Sequence, residues 1–395
     1  MKYHNRMLKK ENFLFGLFSL VGLSIGFLST YLLSNYFTVE VFGEIQLFVT
    51  LLGILTIFYL PGFDIVITKQ IYKHNDNIVK YVLYSIMPYA ILPLLIILLS
   101  IYFFSEKLDT FIFYAGAIIL FTMFDKTTAI LNAKLKFKQL RYIEIYTKIL
   151  ILCMVCFVVF MQYNMLAYVI LFTVMSTFII VVRIYYSHTF LSLSNKCTLD
   201  KDILKAEGIK TTFSSAYTVI ATWSEKLVLG ILDPGLLAYF VIGQMFPKVL
   251  KDNIKVLLTP TLSTWASSGF EYYKEMIYRY KYHLWGIGIV FYFILFVSVD
   301  VLISNFFTKY EESIFIAQML SISLIFKFVE MAKMSSMALS KHTNVFNKIN
   351  NKINSVKIVL VIILIPLYGI NGAVISILTV EVIRFYLVNK EFSKL

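Results

Sequence analysis

Three cysteines in 395 residues are too few for a disulfide framework, and only 15% of the chain is charged. The first absence excludes a stapled secreted scaffold. The second excludes an ordinary soluble domain, where about 25% of residues carry charge. Cys153 and Cys156 form a C-x-x-C inside an apolar stretch with no histidine or acid within helical reach, so they are expected to pack rather than bind metal; Cys197 falls in a polar loop. No H-E-x-x-H, G-x-S-x-G or phosphate-loop pattern occurs, and the five histidines (His4, His74, His188, His283, His342) sit at or near one side of the apolar runs. No catalytic residue, metal site or cofactor is expected, and the chain is not expected to be an enzyme. Six of its seven prolines (Pro61, Pro88, Pro93, Pro247, Pro260, Pro366) fall in or at the ends of apolar stretches, where each removes a backbone donor and kinks a helix.

What the chain has in abundance is apolar surface: 59% hydrophobic residues and a mean hydropathy of +0.78. Its apolar runs reach the length of bilayer spans. We place twelve helices at about 13–37, 44–66, 81–104, 110–132, 142–162, 165–186, 210–232, 235–262, 284–306, 312–339, 355–368 and 370–388. The first run is too long for a signal-peptide core and lacks a cleavage pattern, so it is expected to stay as a helix. Gly22 and Gly26 within it form a G-x-x-x-G pair that would admit a neighbouring backbone. The expected fold class is an all-α polytopic membrane protein with about twelve transmembrane helices in two pseudo-symmetric six-helix bundles.

Lysine and arginine set the expected orientation. They concentrate at the N-terminus, after each even-numbered span and at the C-terminus, whereas Lys107 and Lys309 alone fall on the other side. Both termini are therefore expected to be cytoplasmic. In this setting the net charge of +13 reflects cytoplasmic loops and not a nucleic-acid partner. The turn TVEVFGEIQLF after the first span is matched by LDPGLLAYFVIG after the seventh, and QYNMLAYVIL by YGINGAVISIL. These matches divide the chain into an N-terminal bundle over 1–187, a cytoplasmic connector over 188–208 and a C-terminal bundle over 209–395. The even span count makes the repeats parallel, with a substrate site expected between them.

The seventh and eighth spans, joined at Asp233-Pro234-Gly235, carry charge at membrane depth. Each such charge costs roughly 2.5–3.5 kcal/mol on insertion scales unless it faces protein or water. Lys248, Lys251, Asp252 and Lys255 share one helical face, and Asp252 neutralises only one of the three lysines. Lys248 lies roughly 20 Å and Lys255 roughly 30 Å below the outer surface, counting 1.5 Å per residue. The excess cation calls for an anion, so Lys248, Lys251 and Lys255, with Lys226, are the candidate substrate-binding residues. Glu225, beside Lys226, is open between ion coupling and a fixed structural pair. Glu144–Lys148 and Lys327–Glu330–Lys333 have the spacing of self-neutralising pairs. Asp125–Lys126 and Glu381–Arg384 offer internal or cross-helix partners, and Asp64 reads as an inner-edge residue.

The turn TVEVFGEIQLF, the run WSEKLVLGILDPGLLAYFVIGQMF and the last hairpin PLYGINGAVISILTVEVIRF resemble bacterial polysaccharide biosynthesis proteins of the O-antigen flippase type, within the multidrug/oligosaccharidyl-lipid/polysaccharide exporter superfamily. The sequence departs from that pattern at Ala238, where the family commonly has glycine, and at Pro61-Gly62-Phe63-Asp64. The resemblance implies a flippase carrying undecaprenyl-pyrophosphate-linked oligosaccharide across the bacterial cytoplasmic (inner) membrane by alternating access. Helices one, two, seven and eight would surround its cavity. It further implies proton or sodium coupling, contact with membrane lipids and a polysaccharide polymerase as partner. A drug exporter of the same superfamily is the alternative, although its cationic substrates would suit an acid-rich cavity better. A membrane glycosyl-polymerase would need more extracytoplasmic surface than these short turns supply.

Overall fold

In the computed structural model, residues 21–72, 78–103, 107–134, 136–191, 201–267, 270–339 and 343–395 are described, and all regular structure among them is helical. A first helix, α1, covers residues 21–36. It is followed by α2 (Val39–Leu55), a 3-10 turn (Thr56–Tyr59), α3 (Gly62–Tyr72), α4 (Ile78–Ile86) and α5 (Ile91–Phe103). Then come α6 (Lys107–Thr122), α7 (Thr127–Ala133), α8 (Phe137–Phe160), α9 (Met165–His188), α10 (Lys201–Leu232) and α11 (Pro234–Ser267). The chain closes with α12 (Phe270–Phe306), α13 (Ser313–Ser321), α14 (Ser323–Leu339) and α15 (Thr343–Lys394).

Among the described residues seven helical stretches are long and apolar enough to cross a bilayer, and the bent pair α13–α14 makes an eighth. The long helices α10 and α11 fall short of that apolarity because Glu225, Lys226, Lys248, Lys251 and Asp252 interrupt them. With those two, α1, and α15 divided at its non-helical Gly369 (φ 55°), the chain has about twelve transmembrane helices. It is a multi-pass membrane protein.

The second and fourth spans are broken, one of them at a proline. The second span ends its first half in a 3-10 turn, passes through Leu60 in the left-handed region (φ 55°) and resumes at Gly62, because Pro61 has no N–H to continue the ladder. The fourth span breaks between Thr122 and Thr127, leaving Asp125 and Lys126 in the gap. The cytoplasmic-side expectations for two starts were short. Helix α12 begins at Phe270 instead of near 284, and α15 at Thr343 instead of near 355, since neither polar stretch contains a proline or glycine to stop the helix. The helical-looking stretch DKDILKAE of the expected connector forms the first turns of α10, from Lys201 onward. Cys197 and residues 192–200 lie outside the described residues.

Chain contacts group the helices into two compact units, one built mainly from Phe37–Gln46 and Ser224–Leu395, the other from Ser24–Tyr36 and Leu47–Trp223. In the first unit Gly43 abuts Pro234 so closely that an added Cβ would lie 1.8 Å from the Pro234 carbonyl oxygen, and Ala238 is fully buried nearby in sequence. The close approach expected at Gly26 is not there: a Cβ on it meets nothing within 4 Å. Cys153 and Cys156, expected to pack inside, are exposed on α8, because the buried stripe of that helix runs through Met154, Val155 and Val158.

Candidate functional site

In the unit containing α11, α14 and α15, charged side chains from three helices meet. The i, i+3 spacing puts Lys327 and Glu330 on one face of α14, and Glu381 and Arg384 on one face of α15. Glu381 lies at the centre: its Oε1 is 3.5 Å from Lys251 Nζ, and its Oε2 is 3.4 Å from Lys327 Nζ and 3.8 Å from Arg384 Nη1. Glu330 Oε1 is 3.0 Å from Lys327 Nζ and 3.9 Å from Arg384 Nη1. Glu330 is 4% exposed, so its charge is tolerable only with these cations beside it. Three cations thus share two carboxylates.

A second group forms where α10, α11 and α15 approach. Glu225 Oε1 is 2.8 Å from Lys357 Nζ, with the carboxylate side chain 4% exposed. Lys226 lies within electrostatic reach of Lys248, Glu225 and Lys357, and Lys248 is exposed. Here three ammonium groups face one carboxylate. Among the described residues of both groups Lys226, Lys248, Lys251, Lys327, Lys357 and Arg384 outnumber Glu225, Glu330 and Glu381, and the exposed Asp252 does not close the gap.

The structure therefore divides the residues singled out in the sequence. Lys226, Lys248 and Glu225 belong to one group and Lys251 to the other, while the side chain of Lys255 lies outside the described residues. Lys251 is neutralised by Glu381 on another helix and not by its neighbour Asp252. Glu225 pairs with Lys357 on α15, a residue that the sequence had not singled out. The Lys327–Glu330 pair forms as its spacing predicts, but Lys333 hydrogen-bonds Asn389 and sits over the Phe392 ring at 5.2 Å. Glu144 pairs with Arg141, three residues back. No signal in single helices paired Glu381 with Lys251 or Lys357 with Glu225. A charge deep in an apolar run was the only pointer to them.

The other unit holds its own network at the two helix breaks. Lys126 Nζ is 3.1 Å from Asp64 Oδ1, donates to the Tyr59 carbonyl at 3.0 Å and lies 3.8 Å from the centre of the Tyr59 ring. Arg183 Nε on α9 is 3.1 Å from Asp125 Oδ2, and the Thr127 amide donates to Asp125 Oδ1 at 3.0 Å. Asp64, half-buried, is thus the carboxylate partner of the buried Lys126 across the two breaks. Between α8 and α9 an apolar groove of about 500 Å³, lined by Tyr142, Tyr146, Leu150, Phe178 and Val182, carries no carboxylate. Among the described residues no group of histidine, cysteine and acids has the makings of a metal site.

Comparison with known proteins adds to this geometry. No curated protein sequence matches the chain. Among solved structures it is similar to the lipid II flippase MurJ in an inward closed conformation, with a TM-score of 0.75 at 15% identity, covering 95% of this chain and 86% of that one. It is also similar to an inward-facing multidrug resistance MATE transporter of the MOP superfamily (TM-score 0.68, 11% identity, 95% and 98% covered). A third similar structure is the Vibrio cholerae MATE transporter VcmN in its bent form (TM-score 0.61, 13% identity, 98% and 97% covered). At these identities the likeness establishes the fold. A family model described as polysaccharide biosynthesis protein matches residues 8–264, well over half of the chain, and the protein belongs to that family.

Proposed function

We propose that this protein is a flippase that carries undecaprenyl-pyrophosphate-linked oligosaccharide, the repeat unit of O-antigen or another surface polysaccharide, from the inner to the outer leaflet of the bacterial cytoplasmic membrane. It works by alternating access, with both termini cytoplasmic, and performs no chemistry on its cargo. The observation that carries this reading is that, among the described residues of these two groups on α10, α11, α14 and α15, cations outnumber carboxylates. A diphosphate offers dense charge and several acceptor oxygens, and it matches a cluster of lysine and arginine donors. Family membership and a fold shared with a lipid II flippase support the same reading. The MATE-like fold is equally compatible with drug export, but surplus lysines repel the cationic substrates that an acid-rich cavity would attract.

In this reading Lys248, Lys251, Lys255 and Lys226 receive the diphosphate, and Glu225 takes part in proton or sodium coupling by exchanging its Lys357 partner. The test uses cells lacking their own flippase, expressing Lys248→Gln, Lys251→Gln and the double variant at verified membrane levels. Glu381 retains Lys327 and Arg384 when Lys251 is lost, so folding is expected to survive. Losing a charge-assisted contact from the half-buried Lys251 weakens binding by about ten- to a hundredfold, and from the exposed Lys248 by less. Surface polysaccharide should fall and the lipid-linked intermediate accumulate in the inner leaflet. Normal surface polysaccharide from a well-expressed double variant overturns the assignment.

A further inference from the structure

The breaks in the second and fourth spans face each other across a single ammonium group. After the 3-10 turn Thr56–Tyr59 the Phe63 amide, which in an unbroken helix would reach the Tyr59 carbonyl, bonds the Leu60 carbonyl instead at 3.1 Å. That leaves the Tyr59 oxygen to a partner from elsewhere, and the partner is Lys126 Nζ at 3.0 Å. The same nitrogen meets Asp64 Oδ1 at 3.1 Å and the Tyr59 ring at 3.8 Å. The Tyr59 hydroxyl lies 2.5 Å from Asp64 Oδ2 and 3.0 Å from the Asp125 carbonyl, fixing the carboxylate from its far side. Lys126 is 1% exposed.

A backbone carbonyl released by a helix break, a carboxylate and an aromatic face are the donors with which unwound membrane helices hold monovalent cations. We propose that the Lys126 ammonium is a tethered cation filling such a site, and that the site takes up a free monovalent metal ion when the tether is cut. Asp125, the other acid at the breaks, is already neutralised by Arg183, so the charge left over when Lys126 is removed belongs to Asp64 alone. The wild-type site is permanently loaded, and it contributes no exchangeable ion to transport. Any coupling ion must act elsewhere.

The tether hypothesis is tested on the full-length protein in detergent, by thermal unfolding in NaCl or KCl against choline chloride at equal ionic strength. Wild type sets the baseline response. Lys126→Ala is expected to melt lower in choline chloride and to recover, saturably, by roughly 2–4 °C more than the wild-type response as sodium or potassium is added. Lys126→Ala combined with Asp64→Asn removes both charges and is expected to respond no more than wild type. If Lys126→Ala cannot be purified, Lys126→Gln is read in the same way, since it retains a donor toward the Tyr59 carbonyl and still leaves the Asp64 charge unpaired. The proposal is overturned if neither single variant gains a metal-ion response beyond wild type, or if the double variant gains the same response.

Discussion

The two units solve one problem in opposite ways. Each buries charge on the second, fourth and sixth spans of its half of the chain: Asp64, Asp125–Lys126 and Arg183 in one, Lys251, Lys327–Glu330 and Glu381–Arg384 in the other. In the first, two cations meet two acids, and backbone carbonyls and amides take up further donors and acceptors. In the second, three cations share two acids at distances that stretch from 3.0 to 3.9 Å. A balanced network with short contacts holds its helices in one arrangement. A network with surplus charge and long contacts can admit another anion.

The comparison breaks first where charge is balanced. Arg183→Met leaves the Asp125 carboxylate, 4% exposed, without its cation, and a broken buried pair of this kind costs about 3–5 kcal/mol. We expect that variant to unfold well below wild type at any concentration of added anion. Thermal unfolding of purified protein checks this, and an unfolding temperature within a degree of wild type would show that the network contributes little.

Next in size is the response to a ligand. Inorganic pyrophosphate at about ten times its Kd should stabilise wild type by about 1.4 kcal/mol. The gain is expected to vanish in the Lys248→Gln/Lys251→Gln double variant and to survive in Arg183→Met, where the surplus-charge unit is untouched. Equal stabilisation of all three would place pyrophosphate outside the proposed face.

A smaller effect is expected at Glu225→Gln. The amide can still accept from Lys357, so about 1 kcal/mol of stability is lost, while the dependence of transport on the proton or sodium gradient is reduced. Unchanged gradient dependence at equal expression would remove Glu225 from coupling. The smallest effect marks the surface limit: Lys394→Gln removes an exposed pair with Glu391 and is expected to leave both the unfolding temperature and transport unchanged. The Glu391 carboxyl, held below its ordinary range by the hydrogen bond from Lys394, should then return toward it, which NMR titration would show.

Much of the fold was legible in the residues. Apolar runs located the spans, Pro61 announced the break in the second one, and Asp233-Pro234-Gly235 announced the turn between α10 and α11. The starts of α12 and α15 were missed because hydropathy marks where lipid ends, whereas a helix continues into water until something breaks it. Within the candidate site the deep charges were visible one helix at a time, and the Lys327–Glu330 pair followed from spacing alone. Glu225 was read against its neighbour Lys226, which points to a different side of the helix one residue on. Its partner, Lys357, sits on a helix far along the chain.

The sequence by itself determined the class of molecule, the approximate number of spans, the break at Pro61 and which residues must carry charge into the membrane. Those properties depend on hydropathy summed over a span and on the local periodicity of a helix. Only the tertiary structure decided that Lys126 meets Asp64, that Glu225 meets Lys357 and that Glu381 gathers Lys251, Lys327 and Arg384. Such contacts require two helices to agree in rotation and in depth, and packing between distant segments, not any property of one segment, sets both.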